Sequence, residues 1–320
     1  MHLAVYLPLL VPLAAALSAG RLARGLDPRL ATWLLTCSAV MLAAATATVL
    51  SLLAVAGVIQ IPLVAQLGKL SLQIIQRDDA PSVSVALLAA IALSAAGAAA
   101  VRMAYRRLRA LLAAAGQARC LPGTGELVIM QDDGVAEAFT VPGRPGRIVV
   151  STGMLAALHK NERHALLAHE RAHLRGHHHW FTAAAQLAGA ANPLLRPLAR
   201  AVAFTVERWA DEDAAAVTGD RRLVARTIAK AALAKAAAAR PGTVPGWAAG
   251  STLSVTGRAS DLADLSGGGP VPRRVAALLT VAPQRRLILV IGVLVVLVAT
   301  GVCTLEALRD LHDLLEMASA

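Results

Sequence analysis

The stretch LILVIGVLVVLVATGVCTL, Leu287–Leu305, contains no charged residue. As a helix rising about 1.5 Å per residue, it is long enough to cross the roughly 30 Å hydrocarbon core of a bilayer. Three other stretches have the length and apolar character of membrane spans: His2–Ala19, Ala31–Ile59 and Ser82–Val101. The whole chain is 57% hydrophobic, with a mean hydropathy of +0.60. These features predict an α-helical integral membrane protein with about four transmembrane helices.

Two of these spans admit a second interpretation. Ser82–Val101 is rich in Ala and Gly and could instead be a buried helix of a soluble domain. His2–Ala19 could be a cleaved signal peptide, but it lacks a basic start and contains Pro8 and Pro12, which favours a retained span. The predicted organisation is three spans within residues 1–104, a separate domain at 105–284, and a last span with a short tail at 285–320.

Basic residues between the spans predict the orientation, because cytoplasmic loops carry an excess of Lys and Arg. Arginines cluster in residues 20–30, in residues 102–109 and at Arg285 and Arg286. Residues 60–81 are balanced by Asp78 and Asp79, and the tail after Leu305 is mostly acidic. One topology satisfies all five segments. We expect a multi-pass protein of the cell (inner or plasma) membrane, with both termini external and residues 102–286 in the cytosol.

Composition also weighs against several classes of function. The net charge is +11, but aromatic residues make up only 3% and no basic stripe stands out, so we expect no direct nucleic-acid binding. The three cysteines are scattered and form neither a metal-binding spacing nor a disulfide framework. The spans contain no ionisable residue at mid-depth, which disfavours a transporter. Part of the positive charge could hold the domain against anionic lipid.

The central domain contains the sequence His169-Glu170-Arg171-Ala172-His173, which has the form H-E-x-x-H. On a helix, residues four apart lie one above the other, so both imidazoles can reach one zinc ion. A metal held there lowers the pKa of water, and the Glu170 carboxylate can accept a proton as water attacks a peptide carbonyl. The motif predicts a zinc-dependent peptidase. The alternative is a polar helix face on which the histidines coincide by chance.

The surrounding sequence predicts a mixed α and β domain. Glu126–Met130, Ala138–Val141 and Arg147–Val150 have strand character, and a peptide substrate could pair with this sheet as an extra strand, with Phe139 as a candidate contact. Asn161 is the expected N-cap of the motif helix. A basic segment before the sheet, Tyr105–Arg119, is predicted to be a helix. Two more helices are predicted after the motif, at Pro193–Val217 and Arg221–Ala239. A long mobile loop is predicted at residues 240–270.

The third metal ligand has two candidates. His169–His179 fits H-E-x-x-H-x-x-G-x-x-H, the metzincin spacing, but no methionine lies between Met154 and Met317 to form the required Met-turn. The alternative is a carboxylate from the next helix, where Glu207 could bind zinc and Asp211, four residues on, could support a ligand histidine. These two could equally be a solvated surface. His177 would lie near the site if the helix continues through Gly176, and could stabilise the oxyanion.

The motif together with Glu207-Arg208-Trp209-Ala210-Asp211 resembles the E-x-x-x-D arrangement of HtpX-like membrane metalloproteases and, more closely, the BlaR/MecR antirepressor family. In both, A-F-x-x-P and I-V-V-x-x-G-hydrophobic stretches precede the zinc helix, as Ala138–Pro142 and Ile148–Leu155 do here. Arg274–Leu279 also resembles the segment ahead of the family's last span. The resemblance covers residues 82 to 305.

This resemblance implies a cytosolic α+β, gluzincin-like metalloprotease domain attached to four spans. His169, His173 and Glu207 would bind Zn²⁺, Glu170 would be the general base and Asp211 would support a ligand. In that family the protease leads to cleavage of a cytosolic DNA-binding repressor, here expected to be of winged-helix type, or it cleaves itself and thereby signals to the repressor. About 15 residues follow Leu305 and no S-x-x-K motif is present, so we expect no direct β-lactam sensing.

The leading hypothesis is therefore an integral-membrane zinc endopeptidase in proteolytic signalling, with a peptide or a winged-helix repressor as substrate. The second hypothesis is membrane-protein quality control of the HtpX type. A third, of another class, is a non-catalytic membrane receptor or scaffold with a vestigial zinc site. The intact Glu170 argues against the third, because a purely structural site has no use for a general base.

Overall fold

The computed structural model describes residues 7–60, 82–120, 125–143, 146–238, 269–280 and 286–319. The loop predicted at residues 240–270 lies almost entirely outside this set, as do residues 61–81 between two predicted spans.

Within the described residues, four long apolar helices agree with the predicted number of candidate spans. They are α1 (Leu7–Gly25), α2 (Pro28–Val58), α3 (Val83–Cys120) and a last helix α10 (Leu287–Ser319). Each of the four contains a stretch long and apolar enough to cross a membrane. Helix α3 continues without a break through the basic segment at Tyr105–Arg119.

The first connection is shorter than predicted. Helix α1 continues to Gly25, so Arg21 and Arg24 lie on its final turns and not in a loop. Helix α2 begins at Pro28, and the Asp27 side chain caps it by accepting a hydrogen bond from the Leu30 N–H at 3.0 Å. Proline in the first turn and aspartate at the N-cap both favour the start of a helix at this point. Because only two residues separate α1 from α2, the two helices pack side by side as an antiparallel pair.

A three-stranded sheet precedes the motif helix, as predicted. Its strands are β1 (Leu127–Met130), β2 (Ala138–Val141) and β3 (Arg147–Ser151), in the order β1-β3-β2. Strand β3 pairs parallel with β1 and antiparallel with β2. Alternate β3 residues point to opposite faces: Ile148 and Val150 join one apolar cluster and Val149 another.

In the described part of the chain, six α-helices lie between the sheet and α10. They are α4 (Thr152–Ala157), α5 (Lys160–Arg175), α6 (His178–Ala191), α7 (Arg196–Thr218), α8 (Arg221–Ala238) and α9 (Pro270–Leu279), with a 3₁₀ turn at Pro193–Leu195 before α7. Helices α7 and α8 agree with the predicted boundaries to within a few residues.

The prediction that Asn161 caps the motif helix is wrong. Helix α5 begins at Lys160, with His159 at the N-cap, and the Glu162 carboxylate accepts a hydrogen bond from the His159 N–H at 2.9 Å. Lys230 of α8 lies 2.6 Å from the same carboxylate. The buried Glu162 therefore satisfies a free backbone N–H at the helix start and ties α5 to α8.

Part of the predicted 105–284 domain packs directly against the predicted spans. Helices α6 and α7 pack against α1 and α2, and one apolar core contains residues of all four helices. The large side chains at its centre come from both parts of the chain: Leu35, Leu42, Phe181, Leu195, Leu198 and Trp209. A second core lies between α5, α7, α8 and α9.

Candidate metal centre

Helices α5 and α7 bring together the three predicted metal ligands. The Nε2 atoms of His169 and His173, one turn apart on α5, lie 3.1 Å from each other. Each of these atoms is 3.6 Å from a different carboxylate oxygen of Glu207 on α7. One ligand atom from each residue lies within 4.8 Å of the others, which is the convergence that a single ion needs.

Asp211 supports His169 from behind. Its Oδ1 atom lies 2.9 Å from His169 Nδ1, the ring nitrogen that faces away from Glu207. Glu207 and Asp211 are four residues apart on α7, so one helix face delivers both carboxylates. A carboxylate on the distal ring nitrogen selects the tautomer that leaves Nε2 free to bind a metal.

Arg274 of α9 completes the charge balance, and sequence reasoning did not assign it to the site. Its guanidinium donates from Nε and Nη2 to the two oxygens of Asp211 at 2.8 and 2.7 Å, and Nη1 lies 3.0 Å from Glu207 Oε2. A signal was present in the sequence. Arg274 falls in the buried stripe of α9 between Val271 and Leu278, where an arginine requires an acidic partner.

A second contributor, His178, was also missed. Helix α5 ends at Arg175, His177 adopts a left-handed backbone with φ of 49°, and α6 begins at His178. This turn places His178 Nδ1 2.9 Å from His173 Nδ1. When Nε2 of His173 faces a metal, its Nδ1 carries the hydrogen and donates it to His178, which acts as the acceptor.

The other predicted residues take different positions. The prediction that His177 lies near the site depends on a helix that continues through Gly176. The helix ends at Arg175, and His177 is exposed, unlike the buried His169 and His173. Among the described residues, His179 is not part of the metal-ligand cluster. Phe139 is buried in β2, in the cluster that contains Val149. Strand β2 is an outer strand of the described sheet and packs beside α5. Pairing of a peptide substrate with this sheet stays a prediction.

Glu170 fits the role of a base held beside a cation. It is fully buried, and neither carboxylate oxygen has a hydrogen-bond partner within the described part of the chain. Burial raises the pKa of Glu170 to about 8, despite the opposing charge of His169. A bound cation would explain why the Glu170 carboxyl is buried without a partner beside two histidines and the carboxylate of Glu207, so these residues fit a divalent metal.

The surroundings divide the titrating groups into neutral and charged sets. Burial lowers the pKa values of His173 and His178 to about 3, so both imidazoles are neutral. Burial opposes the charged form of His169 as well, but the hydrogen bonds to Asp211 and Glu207 prevail and raise its pKa to about 9. Burial disfavours an ionised Asp211, yet Arg274 and His169 hold its pKa far below the usual range.

Comparison with known proteins gives one family. Residues 103–195, less than a third of the chain, match the model of peptidase family M48. No curated protein and no solved structure matches the chain. The matched segment contains the sheet, His169, Glu170, His173 and His178. It ends before Glu207, Asp211 and Arg274, which the tertiary structure brings to the same site. The match supports a metallopeptidase function.

Proposed function

We propose that this chain is an integral-membrane, zinc-dependent endopeptidase. The observation that carries the proposal is the convergence of His169, His173 and Glu207 beside the buried, unpartnered carboxyl of Glu170. Two imidazoles and one carboxylate form a ligand set typical of catalytic zinc, which leaves a position open for substrate. The match to peptidase family M48 over the motif supports the same chemistry.

The chain's own residues divide the work of peptide hydrolysis. Zinc bound by His169, His173 and Glu207 would supply Lewis acidity, polarising a peptide carbonyl and lowering the pKa of water. Glu170 accepts a proton from the attacking water at a carboxylate oxygen and passes it to the leaving amine nitrogen. Asp211 keeps His169 in the tautomer that presents Nε2, and Arg274 holds Asp211 and Glu207 in place.

The proposed role is proteolytic signalling on the cytosolic side of the cell membrane, with both termini external. The support is the distribution of basic residues between the spans and the resemblance of the motif region to the BlaR/MecR family. The substrate would be a peptide segment, either of a winged-helix repressor or of the chain itself. Quality control of membrane proteins, as in HtpX-like proteases, uses the same active site and differs only in substrate.

The first test is zinc content, measured by elemental analysis of detergent-purified protein. We expect about one zinc per chain in the parent and in Glu170→Gln, and little in Glu207→Ala. Glu212→Ala is the matched control, because Glu212 lies on the same helix but pairs with Arg221 at 2.7 Å. If the parent holds no zinc after reconstitution, the receptor hypothesis replaces this one. Loss of zinc in His179→Ala but not in Glu207→Ala would restore the metzincin ligand set.

The second test concerns catalysis. Membranes containing the parent should yield new protein N-termini, identified by mass spectrometry, that are absent with Glu170→Gln. The amide keeps the shape of the side chain and removes the base, so a loss of at least 100-fold in cleavage is expected. Equal cleavage by Glu170→Gln and the parent would refute Glu170 as the base.

A further inference from the structure

Helices α6 and α7 form a hairpin, His178–Val206, with its tip at Asn192–Leu195. From Trp180 to Leu195 the hairpin has no ionisable side chain, and from there to Val206 it has only Arg196 and Arg200. The uncharged helical part of the first arm, residues 180–191, rises about 18 Å, somewhat more than half of the roughly 30 Å bilayer core. Neither arm meets the length and charge requirements of a span when considered by itself.

Helix α10 indicates which residues lie at the depth of the membrane, because its first 19 residues, Leu287–Leu305, are free of charge. Near its start, Val290 and Val293 pack against Leu26, Ala31 and Leu34. Just beyond its charge-free part, Ala307 joins the cluster of Val49, Leu52 and Leu53. The layer that α10 crosses therefore corresponds to residues 26 to about 50 of the α1–α2 pair.

The hairpin contacts α2 from Thr32 to Thr46, within this layer. At one boundary, the hydroxyls of Thr32 and Thr205 are 3.0 Å apart, and the rings of Trp33 and Phe181 are 4.7 Å apart. At the tip, Asn192 Nδ2 donates to Thr46 Oγ1 at 3.3 Å. Thr46 is 18 residues along α2 from Pro28, or about 27 Å. The tip therefore lies near the far side of the layer.

We propose that the α6–α7 hairpin is inserted in the membrane beside the four long helices. Its outward face fits lipid, since Trp180, Leu187 and Leu194 are 65, 39 and 44% exposed. Arg196 and Arg200, exposed near the tip, are close enough to the far headgroups for their guanidiniums to extend to them. A lipid bilayer is the one partner that also covers α2 and α10 at the same depth.

The insertion places the metal centre at the membrane surface. Glu207 follows the hairpin directly, and the next residue, Arg208, donates to the Ala23 carbonyl at 2.6 Å at the end of α1. The guanidinium of Arg29 lies 5.3 Å from the centre of the Trp209 ring. These contacts hold the metal-ligating turn of α7 level with the α1–α2 connection, where the charge-free layer begins. This inference does not depend on the proposed peptidase activity.

The test is the labelling of single cysteines in oriented membrane vesicles with a membrane-impermeant maleimide. Cys37, Cys120 and Cys303 are first replaced by serine. Leu194→Cys probes the tip, Leu187→Cys the middle of α6, and Val217→Cys the opposite end of α7, where the native side chain is 54% exposed. All three native side chains are exposed, so the substitutions remove no core contact. Labelling in SDS confirms that each thiol is reactive.

We expect Val217→Cys to be labelled from one side of the membrane only. From that side, Leu187→Cys and Leu194→Cys should be labelled at least 10-fold more slowly, and Leu194→Cys either remains unlabelled or reacts from the opposite side. Labelling of both hairpin positions from the Val217 side at the Val217 rate would overturn the proposal. The measurement needs no zinc and no substrate, so its outcome is separate from that of the peptidase tests.

Discussion

At the residue scale, the positive charge of Arg274 balances two carboxylates of the candidate metal centre. It contacts both oxygens of Asp211 and one of Glu207, and it is almost completely buried. Removing one member of a buried ionic network leaves the others uncompensated, at a cost of about 3–5 kcal/mol. The network also positions His169, because Asp211 holds its ring.

We therefore predict that Arg274→Met weakens zinc binding by about 10- to 100-fold, the usual effect of losing a group that orients a ligand. The measurement is the zinc Kd by competition with a chelator. Arg273→Met is the matched control, because the neighbouring Arg273 is exposed. Equal zinc affinity in Arg274→Met and Arg273→Met would show that the network is dispensable.

A second prediction at this scale concerns Glu170 in the chelator-treated protein. Burial raises the pKa of Glu170 to about 8 from the ordinary 4.5, so the folded chain binds a proton that the unfolded chain has released. This group then lowers the free energy of unfolding as pH rises from about 5 to 8, by at most about 1.4 kcal/mol per unit. Above pH 8 the loss levels off.

Glu170→Gln removes this titration. The Tm of metal-free Glu170→Gln should exceed that of the metal-free parent at pH 7.5, and the two values should approach each other near pH 5. Glu126→Gln, at a glutamate whose side chain is 48% exposed, serves as the control and should follow the parent. A pH-independent gap between Glu170→Gln and the parent would mean that packing, and not ionisation, separates them.

At the element scale, the joint between α5 and α6 determines where His178 lies. A Cβ atom on Gly176 would lie 2.3 Å from His178 Nε2 and 2.5 Å from its Cδ2. The backbone there has an ordinary φ of −77°, so glycine is required for space and not for conformation. His178 in turn accepts the Nδ1 hydrogen of the predicted ligand His173.

Gly176→Ala should therefore displace His178 and weaken zinc binding several-fold, although Gly176 is not a ligand. Gly219→Ala is the contrasting variant. Gly219 has a φ of +69° and nothing within 4 Å of an added Cβ, so alanine there should cost about 1 kcal/mol in stability without changing zinc affinity. Zinc Kd and Tm, measured on both variants, separate the two effects; a Gly176→Ala protein with parental zinc affinity would rule out this role of the joint.

At the scale of the whole molecule, close packing of α2 against α3 holds the described part of the bundle together. A Cβ atom on Gly57 would come within 1.9 Å of the Ala86 Cβ, so the two backbones approach as only small residues allow. We predict that Gly57→Ala lowers the free energy of unfolding by about 1–3 kcal/mol, through forced separation of the helices.

Gly97→Ala is the matched control on α3, because no atom lies within 4 Å of a Cβ added there. That variant should be neutral or slightly more stable, since alanine favours a helix over glycine. Thermal unfolding in detergent, followed by tryptophan fluorescence, compares them. The same Tm for Gly57→Ala and Gly97→Ala would mean that α2 and α3 are not in close contact.

Local patterns in the sequence were enough to predict the four apolar helices, the three strands and the H-E-x-x-H pair. Each depends on a short stretch of chain: a nearly charge-free run, a short run of apolar and β-branched residues, or a four-residue spacing on one helix. It also identified Glu207 and Asp211 as one helix face. It left open whether that face reaches His169, since spacing along a helix does not specify what packs against it.

The contacts that join distant segments of the chain could be seen only in the folded structure. Arg274 lies 63 residues from Asp211, and His178 reaches His173 only because the chain turns at Gly176 and His177. Hydropathy did not identify the α6–α7 hairpin as a membrane segment, because α6 is short and α7 contains charged residues. Burial of the hairpin depends on α1 and α2, which lie about 120 or more residues earlier in the chain. Such contacts are set by the packing of whole faces, which no local window contains.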